Sequence, residues 1–269
     1  MSRQASESSG PTRDRRGAAD AGGRASPTPG PALVLDEHIV EIVSDSGEGA
    51  QRCGQSFGAI AARMGNGIWT VEIIPAEIRP PARSIAGASG NRVRLASHRV
   101  NNGGGEADLV VAFNEQVLLS RMRQGEIKPG GIILLESMWR DDRDEAITAD
   151  YTRVCDEIRA AGYRLYEIPM EAECNKYVPD PRLGKNMFAL GMLSGIYSLD
   201  AEMARAQVRF VFARKDPKII DLNIELLDAG RAWADANPAA VVDWAETVKG
   251  GFPKLLRTEI DRARRRARR

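Results

Sequence analysis

"HIVEIVSDSGEGAQRCGQSFGAIAARMG", residues 38–65, decides how the chain is read. Its apolar opening, "HIVEIV" (38–43), predicts a buried strand that ends at a glycine loop. "QSFGAIAARMG" (55–65) predicts a helix closed by Gly65. A strand feeding a glycine loop that opens a helix is a ready anion site, because backbone N–H groups and the positive end of the helix dipole converge there. The dinucleotide fingerprint G-x-G-x-x-G is incomplete, however. Gly47 and Gly49 supply the first pair, and Arg52 stands where the third glycine belongs. No G-x-x-x-x-G-K-[ST] phosphate loop occurs in the stretch either. Two readings stay open: a tight turn whose glycines take left-handed backbone angles, and a contact with an anion or cofactor.

Downstream, the pattern repeats with variations. "GIWTVEIIP" (67–75) predicts a second strand, stopped by Pro75 and "RPPAR" (79–83). "NRVRLAS" (91–97) alternates with period two and suits an antiparallel or edge strand. "ADLVVAFN" (107–114) and "GGIILLES" (130–137) are near-continuous aliphatic runs, as central strands covered on both faces require. "EQVLLSRMRQGEIKPG" (115–130) carries a helix between them, "DEAITADYTRVCDEIRAAG" (144–162) a longer one, and "YRLYEIPM" (163–170) another strand. After residue 184 three helical patterns follow without strands, and in the last Ile220, Ile224 and Leu227 share one face. The fold class is therefore α/β: an open, mostly parallel sheet flanked by helices, with additional C-terminal helices packed on it.

Composition narrows the function. A chain of 269 residues with 43% hydrophobic and 28% charged residues buries one sizeable core, and a net charge of +1 gives no global argument for nucleic acid. No apolar run approaches the roughly 20 residues that span a bilayer, and there is no apolar signal-peptide core. Cys53, Cys155 and Cys174 are widely spaced, which speaks against a disulfide framework or a cysteine-ligated cluster. With His38 and His98 the only histidines, a His-rich metal site is poorly supported. The expected location is cytoplasmic. Residues 1–35, rich in Ser, Gly, Pro, Ala and Arg, read as a disordered tail; Glu7, Asp14 and Asp20 speak against a mitochondrial presequence. Residues 36–236 form the domain, 237–256 a linker, and 257–269 a basic disordered tail with seven Arg against Glu259 and Asp261.

Five stretches, "SDSGEGAQRCGQSFGAIAARMGN" (44–66), "WTVEIIPAEIRPPARSIAGASGNRVRLAS" (69–97), "DLVVAFNEQVL" (108–118), "ILLESMWRDD" (133–142) and "GKNMFALGMLSGIYSLD" (184–200), resemble one family in order. They are similar to the gamma domain of 2-oxoacid:ferredoxin oxidoreductases, in the form fused at the N-terminus of the alpha subunit in 2-oxoglutarate-type enzymes. The resemblance covers about residues 38–255. It implies coenzyme A-dependent oxidative decarboxylation of a 2-oxoacid. Thiamine diphosphate with Mg and an iron–sulfur cluster would sit in partner domains or subunits, coenzyme A would be the co-substrate, and ferredoxin would take the electrons. The implied partners are an alpha (thiamine-binding) domain or subunit and a beta subunit. Fused members of the family continue beyond the equivalent of "GGFPKLL" (250–256) into an alpha domain, so residues 237–256 read as a linker toward a missing domain and the chain alone is expected to be inactive.

The candidate contacts to coenzyme A or to a subunit junction are Ser46, Gly47, Glu48, Gly49, Gln51, Arg83, Ser89, Asn114, Lys185 and Asn186. Arg83 and Ser89 lie in a loop of small residues beside arginine, suited to a phosphate or to another subunit's backbone. Asn114 ends a central strand and also fits a helix N-cap. Lys185 at a helix N-terminus opposes the dipole, so it needs an anion or solvent exposure. Each has a plain alternative: a solvated loop, a cap, a solvated lysine. Met187, Met192, Met203, Phe188 and Tyr197 read as packing. Cys53 near a helix start reads as a small buried residue rather than an activated thiol. No catalytic or metal-ligating residue is assigned. Two rival classes are an independent nucleotide-binding dehydrogenase, with Glu77 as ribose contact, and a nucleic-acid-associated protein drawn by the arginine tail. The first lacks its third glycine, and for the second nothing supplies base readout.

Overall fold

A computed structural model describes residues 36–74 and 87–237. The expectations for residues 1–35, Glu77, Pro80, Pro81, Arg83 and 238–269 lie outside the described residues. Six strands form one sheet in the order β2-β3-β1-β4-β5-β6. They are β1 (Glu37–Ser44), β2 (Gly67–Ile73), β3 (Ser89–Ala96), β4 (Ala107–Ala112), β5 (Ile127–Glu136) and β6 (Arg164–Ile168). β1, β4, β5 and β6 pair in parallel, while β3 runs antiparallel between β1 and β2. The period-two strand is thus antiparallel but not at the edge; that place belongs to β2, which leaves Trp69 and Val71 exposed.

The helices are α1 (Ala50–Arg63), α2 (Glu115–Arg123), α3 (Glu145–Ala160), α4 (Met170–Cys174), α5 (Lys185–Ile196), α6 (Ala201–Val211) and α7 (Pro217–Ala236). Alternation along the strands divides the interior. Val40, Ile42, Leu109 and Val111 pack with α1, α5, α6 and α7. Ile39, Val43, Val110 and Ile133 pack with α2 and α3 on the other face. The helices that follow neighbouring strands β1 and β4 therefore cover opposite faces. The loop after β1 lies at the carboxyl end of the parallel strands, where open α/β sheets seat their ligands.

α1 starts five residues earlier than its spacing predicts. Gly49, at φ 88°, turns the chain straight into the helix, so Gln51, Arg52 and Cys53 belong to its first turn. Arg52 does not hold the helix off the sheet. Gly54 makes the close approach instead, since a Cβ there would lie 2.4 Å from Asn91 Cβ on β3.

Two features break the apolar pattern. Glu41, fully buried on β1, accepts from Arg121 Nε at 2.6 Å and from Arg92 Nε at 3.0 Å, and Arg92 also pairs with Glu126. This network ties α2 and β3 to the central strand. The second feature is His38, buried and bonded through Nδ1 to Tyr197 Oη at 2.7 Å. Burial lowers its pKa from 6.5 to about 4, against the opposing pull of Asp108. The unfolded chain therefore takes up this proton first, and stability falls as pH drops from 6.5 toward 4. The group's share is about 3 kcal/mol at most. Urea titrations across that window should show a pH slope about one proton flatter in His38→Gln than in the wild type. Equal slopes would refute the assignment.

α5 and α7 cross at almost no distance. A Cβ on Gly191 would lie 1.9 Å from Leu227 O, and one on Gly230 would lie 2.0 Å from Phe188 O. Gly195 faces Ala234 one turn on. Small residues four apart on both helices let the backbones touch.

Candidate functional site

The loop after β1 is held from both sides. Asp45 Oδ2 accepts from Asn114 Nδ2 at 3.0 Å, and Asn114 Oδ1 caps α2 through Gln116 N–H at 2.7 Å. One side chain serves as both clamp and cap. Lys185, 1% exposed, donates to Glu48 Oε1 at 2.6 Å across 137 residues and lies over the Phe113 ring. The solvated-lysine reading is thus overturned: the charge opposing the α5 dipole is matched by a carboxylate. Burial raises the Glu48 pKa, and Lys185 opposes that rise.

Glu136, at the end of β5, also feels Lys185. Its carboxylate accepts from the N–H groups of Met138 and Glu171, both at 3.0 Å, and burial still raises it to about 7. The sequence reading passed over Glu136. The position of Glu136 at the end of a central strand was the available signal.

Beside the loop lies a cleft of about 520 Å³, with Gly47, Glu48, Gly49, Gln51, Ser89 and Asn186 among its lining residues. Gln51 also donates to Ile73 O at 3.1 Å, fastening α1 to β2. Of the remaining candidates, Ser46 is exposed on the loop, Asn114 and Lys185 are buried behind it, and Arg83 lies outside the described residues. Sequence reasoning did not find Arg182, Lys215 and Asn223, which line the same cleft. It met Arg52 only as an obstacle, yet Arg52 lines the cleft with its guanidinium 5.5 Å from the Phe212 ring centroid. Leu183, Ile219, Leu222 and Leu226 form an apolar wall.

Cys53, Cys155 and Cys174 are free and buried. Burial drives all three thiol pKa values upward, Cys155 to about 11 and Cys174 to about 12. None is an activated nucleophile. A thiol-disulfide reagent such as dithionitrobenzoate should label no cysteine in the folded chain and all three in denaturant; rapid native labelling would contradict the packing. Among the described residues no group of three or more His, Cys, Asp or Glu could hold a metal ion. The described residues therefore do not fit a cysteine-ligated cluster. No described helix is long and apolar enough to cross a membrane.

Comparison with known proteins agrees with this architecture. The chain is 30% identical over 212 residues to the 2-oxoglutarate oxidoreductase subunit KorA of Mycobacterium tuberculosis, a match covering 76% of the chain and 32% of that protein. It is 36% identical over 130 residues to the ketoisovalerate oxidoreductase subunit VorA of Methanothermobacter marburgensis, covering 48% of the chain and 23% of that protein. The matched region thus spans about a third or less of these relatives. The 2-oxoglutarate:ferredoxin oxidoreductase from Magnetococcus marinus, solved with 2-oxoglutarate, coenzyme A and succinyl-CoA bound, superposes with a TM-score of 0.59 at 26% identity. That match covers 75% of this chain and 32% of the solved one. A keto/oxoacid ferredoxin oxidoreductase gamma subunit from Geobacter sulfurreducens shares the fold, with a TM-score of 0.53 at 16% identity over 75% of this chain and 98% of that one. The family model described as pyruvate ferredoxin/flavodoxin oxidoreductase matches residues 40–233, and to that family the chain belongs, as a 2-oxoacid:ferredoxin oxidoreductase domain.

Proposed function

We propose that the chain is the gamma-domain component of a 2-oxoglutarate:ferredoxin oxidoreductase, working in the cytoplasm. It contributes surface and shape to an assembly that decarboxylates the 2-oxoacid, forms the acyl-CoA and passes electrons to ferredoxin. One observation carries this reading. The match to KorA occupies most of this chain but only 32% of that relative, so the activity in that name draws on far more protein than these residues. Thiamine diphosphate, magnesium and the iron–sulfur cluster are held by alpha and beta partners, and coenzyme A enters as co-substrate. The loop Ser46–Gln51, with Ser89, Asn114, Lys185 and Asn186, meets coenzyme A or the neighbouring subunit. Lys185 acts there through Glu48, since its own ammonium is buried. Co-expression with candidate alpha and beta polypeptides tests the assembly. Stable co-purification is expected, and a chain that stays monomeric beside every candidate would end the proposal.

A further inference from the structure

We infer that this chain pairs with a second copy of itself through β2. The two edge strands run antiparallel about a two-fold axis at Thr70 and join two six-stranded sheets into one continuous sheet. The inference concerns the free edge of the sheet and stands apart from the assembly with other polypeptides.

The two edges of the sheet are built differently. β6 is five residues long, and its Glu167 is held by Arg140 and Arg159, so a short span and a cluster of charge blunt that edge. β2 carries none of these devices. Its sequence, "GIWTVEI", has no Pro, Lys or Arg, and its pairing with β3 runs from Gly67 to Ile73 without a bulge. Among the described residues β2 pairs with β3 alone, so alternate N–H and C=O groups along it point outward. Thr70 faces α1, where its Cγ2 would lie 3.1 Å from a Cβ on Gly58. Trp69 and Val71 therefore point to the other face of the sheet, and there they are 42% and 40% exposed. A regular apolar edge of this kind is a template for another strand.

The order of residues says which strand. Laid antiparallel on itself about Thr70, "GIWTVEI" sets Gly67 opposite Ile73, Ile68 opposite Glu72, and Trp69 opposite Val71. This register alone pairs the whole strand while keeping partners on one face. Trp69 of each copy then meets Val71 of the other, an aromatic and β-branched pair made twice. Glu72, the one charge on the strand, falls opposite Ile68 rather than its own counterpart, and a net charge of +1 sets up little general repulsion between copies. Residues 1–30 compete poorly for the same edge, since they contain no Val, Ile, Leu, Phe, Tyr or Trp. An edge about 24 Å long makes a small contact, below the roughly 1,200 Å² of lasting interfaces, so the dimer is reversible.

Sedimentation equilibrium of the full chain over a concentration series tests this. The wild type should be half associated at about 10–100 µM. Thr70→Lys and Thr70→Glu each set like charges face to face across the axis, and each should weaken self-association by about tenfold or more. Mixed in equal amounts, the two variants should associate again at least as tightly as the wild type, because Lys then stands opposite Glu. Thr70 is exposed, so both variants keep the fold, which circular dichroism melting checks. Trp69→Ala removes both aromatic contacts at once and should also weaken the dimer by about tenfold or more. A wild type that stays monomeric up to millimolar concentration overturns the inference. So does undiminished association of both Thr70 variants, which would place the contact on another surface or in residues 238–269. Failure of the mixed variants to associate would show that the axis does not pass through Thr70, and the pairing falls with it.

Discussion

Purified alone, the chain is expected to show no reduction of viologen dependent on 2-oxoglutarate and coenzyme A. Co-expressed with its alpha and beta partners, it should be part of a complex turning over at an ordinary enzymatic rate, about 1 to 10³ per second. The reason is chemical. The charged groups lining the cleft are Arg52, Arg182, Lys215 and one carboxylate already engaged by Lys185. Such a set binds and orients. A carbanion on the substrate also needs an electron sink, and reduction needs a one-electron carrier. The described residues do not fit a cysteine-ligated cluster, and the three cysteines lie buried with raised pKa values. Turnover by the isolated chain, or tight calorimetric binding of thiamine diphosphate with magnesium, would reverse the conclusion.

Gly230→Leu should yield no folded chain, and Gly230→Ala should cost at least about 3 kcal/mol, at the upper end of overpacking penalties. The added carbon would sit 2.0 Å from Phe188 O, where a backbone oxygen rather than a flexible side chain must give way. Gly191→Ala meets Leu227 O at 1.9 Å and should behave alike. Against a typical total of about 5–15 kcal/mol, either alanine variant removes a large share of stability. By contrast Gly105→Ala, with nothing within 4 Å of the new atom and no positive φ, should melt within a degree or two of the parent. Chemical denaturation of the three variants side by side checks this. A Gly230→Ala chain as stable as Gly105→Ala would mean the helices do not cross as closely as described.

Much of this architecture was legible because local patterns and burial agree. "DLVVAF" is apolar at every position but its first, as a strand between two helical layers must be, and β4 is such a strand. Asn114 advertised a cap and is one, because the short amide can reach the N–H two residues on. What failed to show depends on partners distant along the chain. Glu41 in "HIVEIV" looks like a solvent-facing residue until Arg121 arrives from α2, 80 residues later. Lys185 looks solvated until Glu48 is placed beside it. The third-glycine argument assumed that position 52 faces the strand, whereas the early start of α1 gives the contact to Gly54. The cleft draws its lining from the β1–α1 loop, β3, the turn before α5, and α7, so no window of sequence displays it. The glycines of α5 and α7 were visible singly, but their mutual contact was not.

The pairs that cross the longest stretches of chain have a consequence during synthesis. His38 and Glu48 leave the ribosome well before Tyr197 and Lys185, 159 and 137 positions behind them. Until α5 and α7 emerge, the side of the sheet bearing Val40, Ile42, Leu109 and Val111 lacks most of its cover. The nascent polypeptide therefore presents a sticky half-built sheet that cannot mature until its last helices are translated. Holdase chaperones should meet this protein while it is still tethered, and release it only once residues 185–236 are free.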